Sequence, residues 1–90
     1  MAQTPRNEIV ERVRLALSED LQGADVDVSR DRFAQKVSGR VIWDGFGNAD
    51  HVDRQRRVRD VLRDRLGVDA QWVSIVLTYT PREYALMTAE

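Results

Sequence analysis

The chain has 90 residues, the length of one small domain, and it contains no cysteine, so no disulfide or thiolate metal site supports its core. Its 14 basic and 15 acidic residues give a formal net charge of −1, which argues against a wholly basic nucleic-acid binder. Hydrophobic residues make up 42% and charged residues 32%, a balance typical of a globular domain and not of a disordered chain. The N-terminus has no apolar segment followed by a cleavage site, so we expect a cytoplasmic protein that spans no membrane.

The first two predicted elements are a helix and an edge strand. Thr4 and Pro5 suit a helix start, and Gly23 suits a helix end. Strict alternation over residues 24–29 predicts a short, half-buried edge strand, and the polar residues 30–38 predict a connection. A helix over residues 5–21 is predicted from an apolar stripe with three- and four-residue steps, formed by Ile9, Val10, Val13, Ala16, Leu17 and Leu21.

A second strand and a long helix follow. The β-branched and aromatic residues 39–44 predict the strand, and the turn residues 45–48 end it. Asp50 is a candidate N-cap for a helix over residues 50–66. Gly67 ends this helix and places Val68 for a hydrophobic contact beyond the turn. The expected buried stripe of the helix consists of Val52, Val58, Val61, Leu62 and Leu66.

The last part of the chain predicts a third strand and a short helix. In the strand, residues 72–79, the more apolar face carries Val73, Ile75 and Leu77. Residues 80–83 form a capping box with proline at the first helical position, and the helix continues through Tyr84, Leu86 and Met87. The order helix, strand, strand, helix, strand, helix predicts a single α+β domain, a two-layer sandwich with helices on one face of a three-stranded mixed sheet.

The sequence lacks the usual catalytic and metal-binding groups. His51 is the only histidine, and neighbouring helix positions such as Asp50 and Asp53 do not point at a common spot with it. The serines have no nucleophile-elbow context, and no ligand cluster stands out. We therefore expect neither an enzyme nor a bound metal or other cofactor.

Arginines concentrate in the long helix, where they outnumber four aspartates and leave a local charge of +2: Arg54, Arg56, Arg57, Arg59, Arg63 and Arg65. One interpretation is a solvated face with spaced ion pairs such as Asp50–Arg54 and Asp53–Arg57. The other is a surface that touches phosphates or an acidic partner, led by the first four arginines.

The two tryptophans, Trp43 and Trp72, are predicted to lie in adjacent strands, with Trp72 on the less apolar side of its strand. They either pack under a helix or loop, or form an exposed aromatic patch of the kind that marks a partner site.

Three stretches of the chain resemble the BolA family, described as stress-induced morphogens. They are residues 40–46 (RVIWDGF), residues 52–58 (VDRQRRV), and residues 74–81 (SIVLTYTP) followed by Glu83. The family pattern is a β-branched strand, a turn with a Phe, a helix with acid-Arg-His-Arg-x-Val, and a strand ending in Thr-x-Thr-Pro-x-Glu. The resemblance implies an α+β fold like that of class II K-homology domains.

The resemblance also implies a function whose ligands are missing here. Many BolA-family proteins pair with monothiol glutaredoxins and share a [2Fe–2S] cluster. Their ligands are a His at the start of the last strand and a His or Cys in the loop between the first two strands. The strand position is Trp72 here, and the loop, residues 29–39, contains neither His nor Cys. The helix His of the family is Gln55, and the turn also departs from the family pattern, with Gly-Phe-Gly-Asn at residues 45–48.

Three functions follow as hypotheses. The first is a non-catalytic interaction or regulatory protein in which a hydrophobic contact at Trp72 replaces a metal bond. It acts through an exposed sheet face and the arginine helix, with partner contacts at Trp72, Trp43, Arg54, Arg56 and Arg57. The second is a retained partnership with a monothiol glutaredoxin in [2Fe–2S] handling, in which the glutaredoxin and its glutathione supply most ligands. The third is nucleic-acid binding or transcriptional regulation, as in K-homology domains, through Arg56, Arg57, Arg59 and Arg63.

Overall fold

A computed structural model describes residues 6–31, 33 and 35–89 of the chain. Three helices and three strands follow one another in the predicted order of helix, strand, strand, helix, strand, helix. They are α1 (Arg6–Asp20), β1 (Asp25–Arg30), β2 (Val37–Ile42), α2 (His51–Leu66), β3 (Val73–Tyr79) and α3 (Pro81–Thr88), with short 3₁₀ turns at Asp44–Phe46 and Gly67–Trp72.

The strands form one mixed sheet in the order β1-β2-β3, as predicted. β1 and β2 are antiparallel neighbours, whereas β2 and β3 are parallel. Gly39 permits the close approach of β1 to β2, because a Cβ at this position would lie 2.0 Å from the carbonyl oxygen of Asp27. In the part of the chain that the structure describes, β3 is left as an edge strand.

The core lies between α1, α2 and one face of the sheet. α1 packs on β1 and on α2, and α2 packs on β3. The predicted stripes of both helices are largely confirmed, because the buried hydrophobic side chains are Val13, Ala16, Leu17, Leu21, Val37, Val41, Phe46, Val58, Val61, Leu62, Leu66 and Val76.

The predicted helix ends are confirmed wherever the structure describes them. Asp50 caps α2 by accepting a hydrogen bond from the backbone N–H of Asp53 at 2.9 Å. The capping box of α3 is complete. Gly23 has a φ of +88°, in the left-handed region that follows many helices. Thr4 and Pro5 lie outside the described residues.

Several strand boundaries and two buried positions differ from the predictions. β1 is shifted by one residue to Asp25–Arg30, and β3 begins at Val73, so Trp72 lies in the preceding 3₁₀ turn. β2 begins at Val37 and not at residue 39, because Val37 is buried and pairs with both Arg30 and Val73. Residues 43 and 44 belong to the following turn. Val52 and Val68 are exposed, so the expected burial of Val52 and the expected contact of Val68 are wrong.

The predicted apolar face of β3 is confirmed for Val73, which packs against the core, and is wrong for Ile75 and Leu77. Val73, Ile75 and Leu77 were expected to share the apolar face. However, one residue of β2 but two residues of β3 lie between two of the pairs that join these strands. This bulge shifts the alternation, so that Val76 and Thr78 are buried under the helices while Ile75 and Leu77 point to the opposite side.

We call that opposite side the open face and define it by Asp27, Arg40, Ile75, Leu77 and Tyr79. α3 does not join the helix layer, contrary to the prediction that the helices share one face. Tyr84 of α3 instead packs against Tyr79 at a tilt of 59°, with 5.6 Å between ring centroids, and lies under the guanidinium of Arg40 at 5.2 Å. The start of α3 therefore covers one corner of the open face and leaves the rest uncovered.

Candidate functional site

The uncovered part of the open face carries large aliphatic side chains. Ile75 is 64% exposed and Leu77 is 49% exposed, although both stand in a central stretch of β3. Trp72, which immediately precedes β3, is 42% exposed. Three large exposed apolar side chains within the six residues 72–77 form the kind of surface that marks a protein contact.

Polar and aromatic groups flank these aliphatic side chains. Arg40 pairs with Leu77 in the sheet register and forms an ion pair with Asp27 at 3.0 Å. The guanidinium of Arg40 also lies over the Tyr84 ring. The open face therefore has an apolar centre on β3 beside a charged and aromatic corner, as protein-binding surfaces commonly do.

Trp72 stands at the end of the sheet where BolA-family ligands are expected. β2 and β3 are parallel and Val37 pairs with Val73, so the β1–β2 loop and Trp72 lie at the same end of the sheet. The loop presents Phe33, which is almost fully exposed. Two exposed aromatic side chains, Trp72 and Phe33, therefore belong to this end of the chain's sheet and its adjoining loop.

The residues at this end do not fit an iron–sulfur cluster. An indole ring donates an N–H and offers no lone pair in the ring plane to iron, and the chain has no cysteine. His51 begins α2, beyond the carboxyl end of β2, and so lies at the opposite end of the sheet from Trp72. Among the described residues, no group of three or more histidine, cysteine or acidic side chains is arranged to hold a metal.

Trp43 lies at the other end of the sheet, which corrects the expectation of one patch formed by both tryptophans. The six steps from Val73 to Tyr79 separate the two ends by roughly 20 Å. The Trp43 indole N–H donates to the carbonyl of Gln22 at 2.9 Å, and its ring meets Phe46 edge to face at 5.2 Å. Trp43 is half-buried and links the turn after α1 to the turn before α2.

Arg54 is buried, with 4% of its surface exposed, so the expectation that it lies on a partner-binding surface is wrong. Its Nε donates to the carbonyl of Ala49 at 2.7 Å, and its two terminal nitrogens donate to Glu83 at 2.6 and 2.9 Å. The hydrogen bond from Arg54, followed by one from the backbone N–H of Thr80, lowers the pKa of Glu83 from 4.5 to about 2. The same contact raises the pKa of Arg54. This pair fastens α3 to α2.

The remaining arginines of α2 do not form a single patch. Arg56, Arg59 and Arg63 follow one another at three- and four-residue steps and share one side of the helix. Arg57 points elsewhere and lies 5.4 Å over the Trp43 ring. The expected pairs Asp50–Arg54 and Asp53–Arg57 do not form ion pairs in the described structure.

Two ion pairs within α2 are long, whereas Arg65 near its end forms short ion pairs with Glu19 and Asp20. Asp53 approaches Arg56 at 3.7 Å, and Asp60 approaches Arg63 at 3.8 Å. Within the described part of the chain, Arg59 forms neither a hydrogen bond nor an ion pair. Positive charge is therefore available on the side of α2 that carries Arg59 and Arg63.

A groove that sequence reasoning missed runs between α2 and the free edge of β3. Its volume is about 450 Å³. Arg59 and Arg63 line one wall, and the side-chain amide of Gln55 donates to the carbonyl of Val76 at 2.8 Å. No sequence pattern indicates this groove, because the groove depends on the bulge in β3 and on the distance between α2 and the sheet.

No protein-family model and no curated protein matches the sequence. Solved structures do match the fold. The BolA domain of SufE1 from Arabidopsis thaliana superposes with a TM-score of 0.68 at 22% identity, covering 91% of this chain and 99% of that chain. BolA1 from Arabidopsis thaliana superposes with a TM-score of 0.64 at 20% identity, covering 83% of this chain and 94% of that chain. The chain has the BolA fold.

The BolA fold confirms the architecture that the three sequence stretches predict. At these identities the likeness concerns the fold alone, so the use of Trp72, Trp43 and the exposed arginines stays a prediction. Within residues 6–31, 33 and 35–89, no helix is both long and apolar enough to cross a bilayer.

Proposed function

We propose that this chain is a non-catalytic BolA-like interaction domain, in which an apolar contact with a protein partner takes the place of an iron–sulfur bond. The contact surface consists of Trp72, Ile75 and Leu77. The observation that supports this surface most directly is the exposure of all three side chains within residues 72–77, at the start of β3 and along it. Burying these side chains against a partner would stabilise the complex by about 25 cal/mol for each Å² of apolar surface removed from water.

The position of Trp72 supports the replacement of a metal bond by a packing contact. Tryptophan is among the residues that most often dominate the energy of protein interfaces. Here it stands where the family resemblance places a ligand, directly before Val73, the first residue of β3 that pairs with β2. A partner that once approached a metal at this end of the sheet would meet an aromatic ring instead.

A monothiol glutaredoxin is the first partner to test, because the family resemblance names it. The complex we propose requires no ligand from this chain. The cytoplasmic location also stays a prediction.

A comparative capture experiment tests the contact surface. Ile75 and Val52 are 64% and 63% exposed, so Ile75→Ser and Val52→Ser remove similar exposed apolar groups from different places. Immobilised wild type, both variants and Trp72→Ala would be exposed to an extract of the source cells. We expect Val52→Ser to retain the proteins that the wild type retains, and Ile75→Ser and Trp72→Ala to lose them.

Thermal unfolding of each variant serves as the control for folding. If Ile75→Ser and Trp72→Ala remain folded and retain every protein that the wild type retains, the open side of β3 is not the contact surface.

A further inference from the structure

We propose that the groove between α2 and the free edge of β3 binds an extended acidic peptide, which adds to the sheet as a fourth strand and places a carboxylate against Arg59 and Arg63. This site goes beyond the proposed function, since its hydrogen bonds come from the edge of β3 and its charge from one side of α2. Only secondary apolar contacts of the added strand reach Ile75 and Leu77 of the open face.

The first support is the direction of the backbone groups of β3. The carbonyl of Tyr79 accepts a hydrogen bond from the backbone N–H of Trp43 at 2.8 Å, so the backbone groups of Tyr79 point toward β2. Backbone groups alternate in direction along a strand, so those of Val76 and Thr78 point toward the free edge. An incoming strand would pair with these groups.

Gln55 already marks this edge as a hydrogen-bonding position. Its side-chain amide donates to the outward carbonyl of Val76 at 2.8 Å. A backbone N–H of an added strand would make the same bond once the Gln55 side chain rotates away. Among the described residues, the side chain of Gln55 covers the free edge of β3 at Val76, and no further strand pairs with this edge.

The second support is the charge of the groove. Arg59 has no hydrogen bond or ion pair within the described residues, and Arg63 meets only Asp60, at 3.8 Å. Among the described residues that line the groove, none is acidic. Arg59 and Arg63 are one helical turn apart on α2, so both can reach carboxylates of a strand lying beside them.

The chemistry of the groove favours a peptide over a nucleic acid. Its apolar floor is formed by Val58, Leu62 and Val76, and no aromatic side chain is among its described lining residues. Single-stranded nucleic acids depend largely on stacking of bases on aromatic rings. Aliphatic walls beside an open strand edge suit a polypeptide backbone and its side chains.

The geometry also predicts a pattern in the bound sequence. Side chains of an added strand alternate between the groove and the open face. Those in the groove would meet Arg59 and Arg63, and those on the other side would pack beside Ile75 and Leu77. The preferred ligand therefore alternates acidic and aliphatic residues.

A designed peptide tests this inference. The probe is a fluorescent heptapeptide of alternating valine and glutamate, titrated against the folded chain beside a valine–lysine peptide and a short single-stranded oligothymidylate. We expect binding of the glutamate peptide alone, with backbone amide shifts concentrated at residues 74–78 in NMR spectra.

Replacing both arginines (Arg59→Gln with Arg63→Gln) should weaken binding by about tenfold or more, because the variant loses the charge-assisted hydrogen bonds to the glutamates of the peptide. Arg82→Gln, on α3 outside the groove, should not weaken binding.

Backbone methylation separates strand addition from simple charge attraction. Methylating the alternate amides that face β3 should abolish binding, whereas methylating the opposite set should preserve it. Equal binding of both methylated peptides, no binding of the glutamate peptide at millimolar concentration, or preference for oligothymidylate would overturn the inference. Failure here leaves the proposed open-face contact standing, because that contact is tested with Ile75→Ser and Trp72→Ala.

Discussion

The two sides of the sheet differ in how they use similar apolar residues. On the helix side, Val41 and Val76 are buried with the stripes of α1 and α2. On the open face, Ile75 and Leu77 stand uncovered, although both residue types belong among the most often buried. A domain that needed these side chains for its own core would cover them, so the contrast separates residues that hold the fold from residues available for binding.

The strongest test of this contrast compares one substitution on both sides. Leu17 is 0% exposed and Leu77 is 49% exposed. Leu17→Ala should lower the free energy of unfolding by about 2–5 kcal/mol, because it removes buried methyl groups and leaves a cavity. Leu77→Ala should lower it by less than about 1 kcal/mol, because the side chain is already half in water. Urea unfolding followed by circular dichroism measures both values, and equal losses would show that Leu77 is a core residue.

A smaller, pH-dependent effect is expected at the pair that holds α3 over the corner of the open face. Arg54 lowers the pKa of Glu83 from 4.5 to about 2, so the folded state favours the ionised carboxylate. The resulting stabilisation is complete above about pH 5 and disappears as the pH falls through the folded pKa. Glu83→Gln should therefore unfold at lower urea concentration than the wild type near neutral pH.

The difference between the two proteins should shrink as the pH falls from about 4.5 toward 2, because protonation then removes the charge in the wild type as well. Urea midpoints measured across this range provide the test. A difference that stays constant down to about pH 2.5 would show that the ionised pair does not cause the stabilisation.

Local sequence signals predicted most of the architecture. Asp50, Gly23 and the capping box at residues 80–83 act through neighbouring backbone groups, so their effects can be anticipated from a few residues. The helix stripes follow from a fixed period, and the three family-like stretches led to the fold that the solved structures share.

The failures concern contacts between residues far apart in sequence. The bulge that exposes Ile75 and Leu77 arises from pairing with β2, and alternation within β3 alone gives the opposite face. Arg54 is buried because Glu83, 29 positions later, neutralises it. A helical-wheel projection of α2 does not distinguish Arg54 from the other five arginines of the helix, so its burial could not be predicted from the helix alone. The sequence therefore predicted only one residue of the candidate site, Trp72. It did not predict that Ile75 and Leu77 would be exposed beside it.

The central claim is that a protein contact replaces an iron–sulfur bond at Trp72. The most direct measurement is a titration of this chain into a monothiol glutaredoxin loaded with its [2Fe–2S] cluster, followed by visible absorption and circular dichroism, with size-exclusion chromatography alongside. A BolA protein that carries the ligand histidine would serve as positive control. The account predicts that the cluster spectrum stays unchanged at every ratio, even where a complex elutes. A changed cluster spectrum in a one-to-one complex would contradict it, because this chain would then supply a ligand.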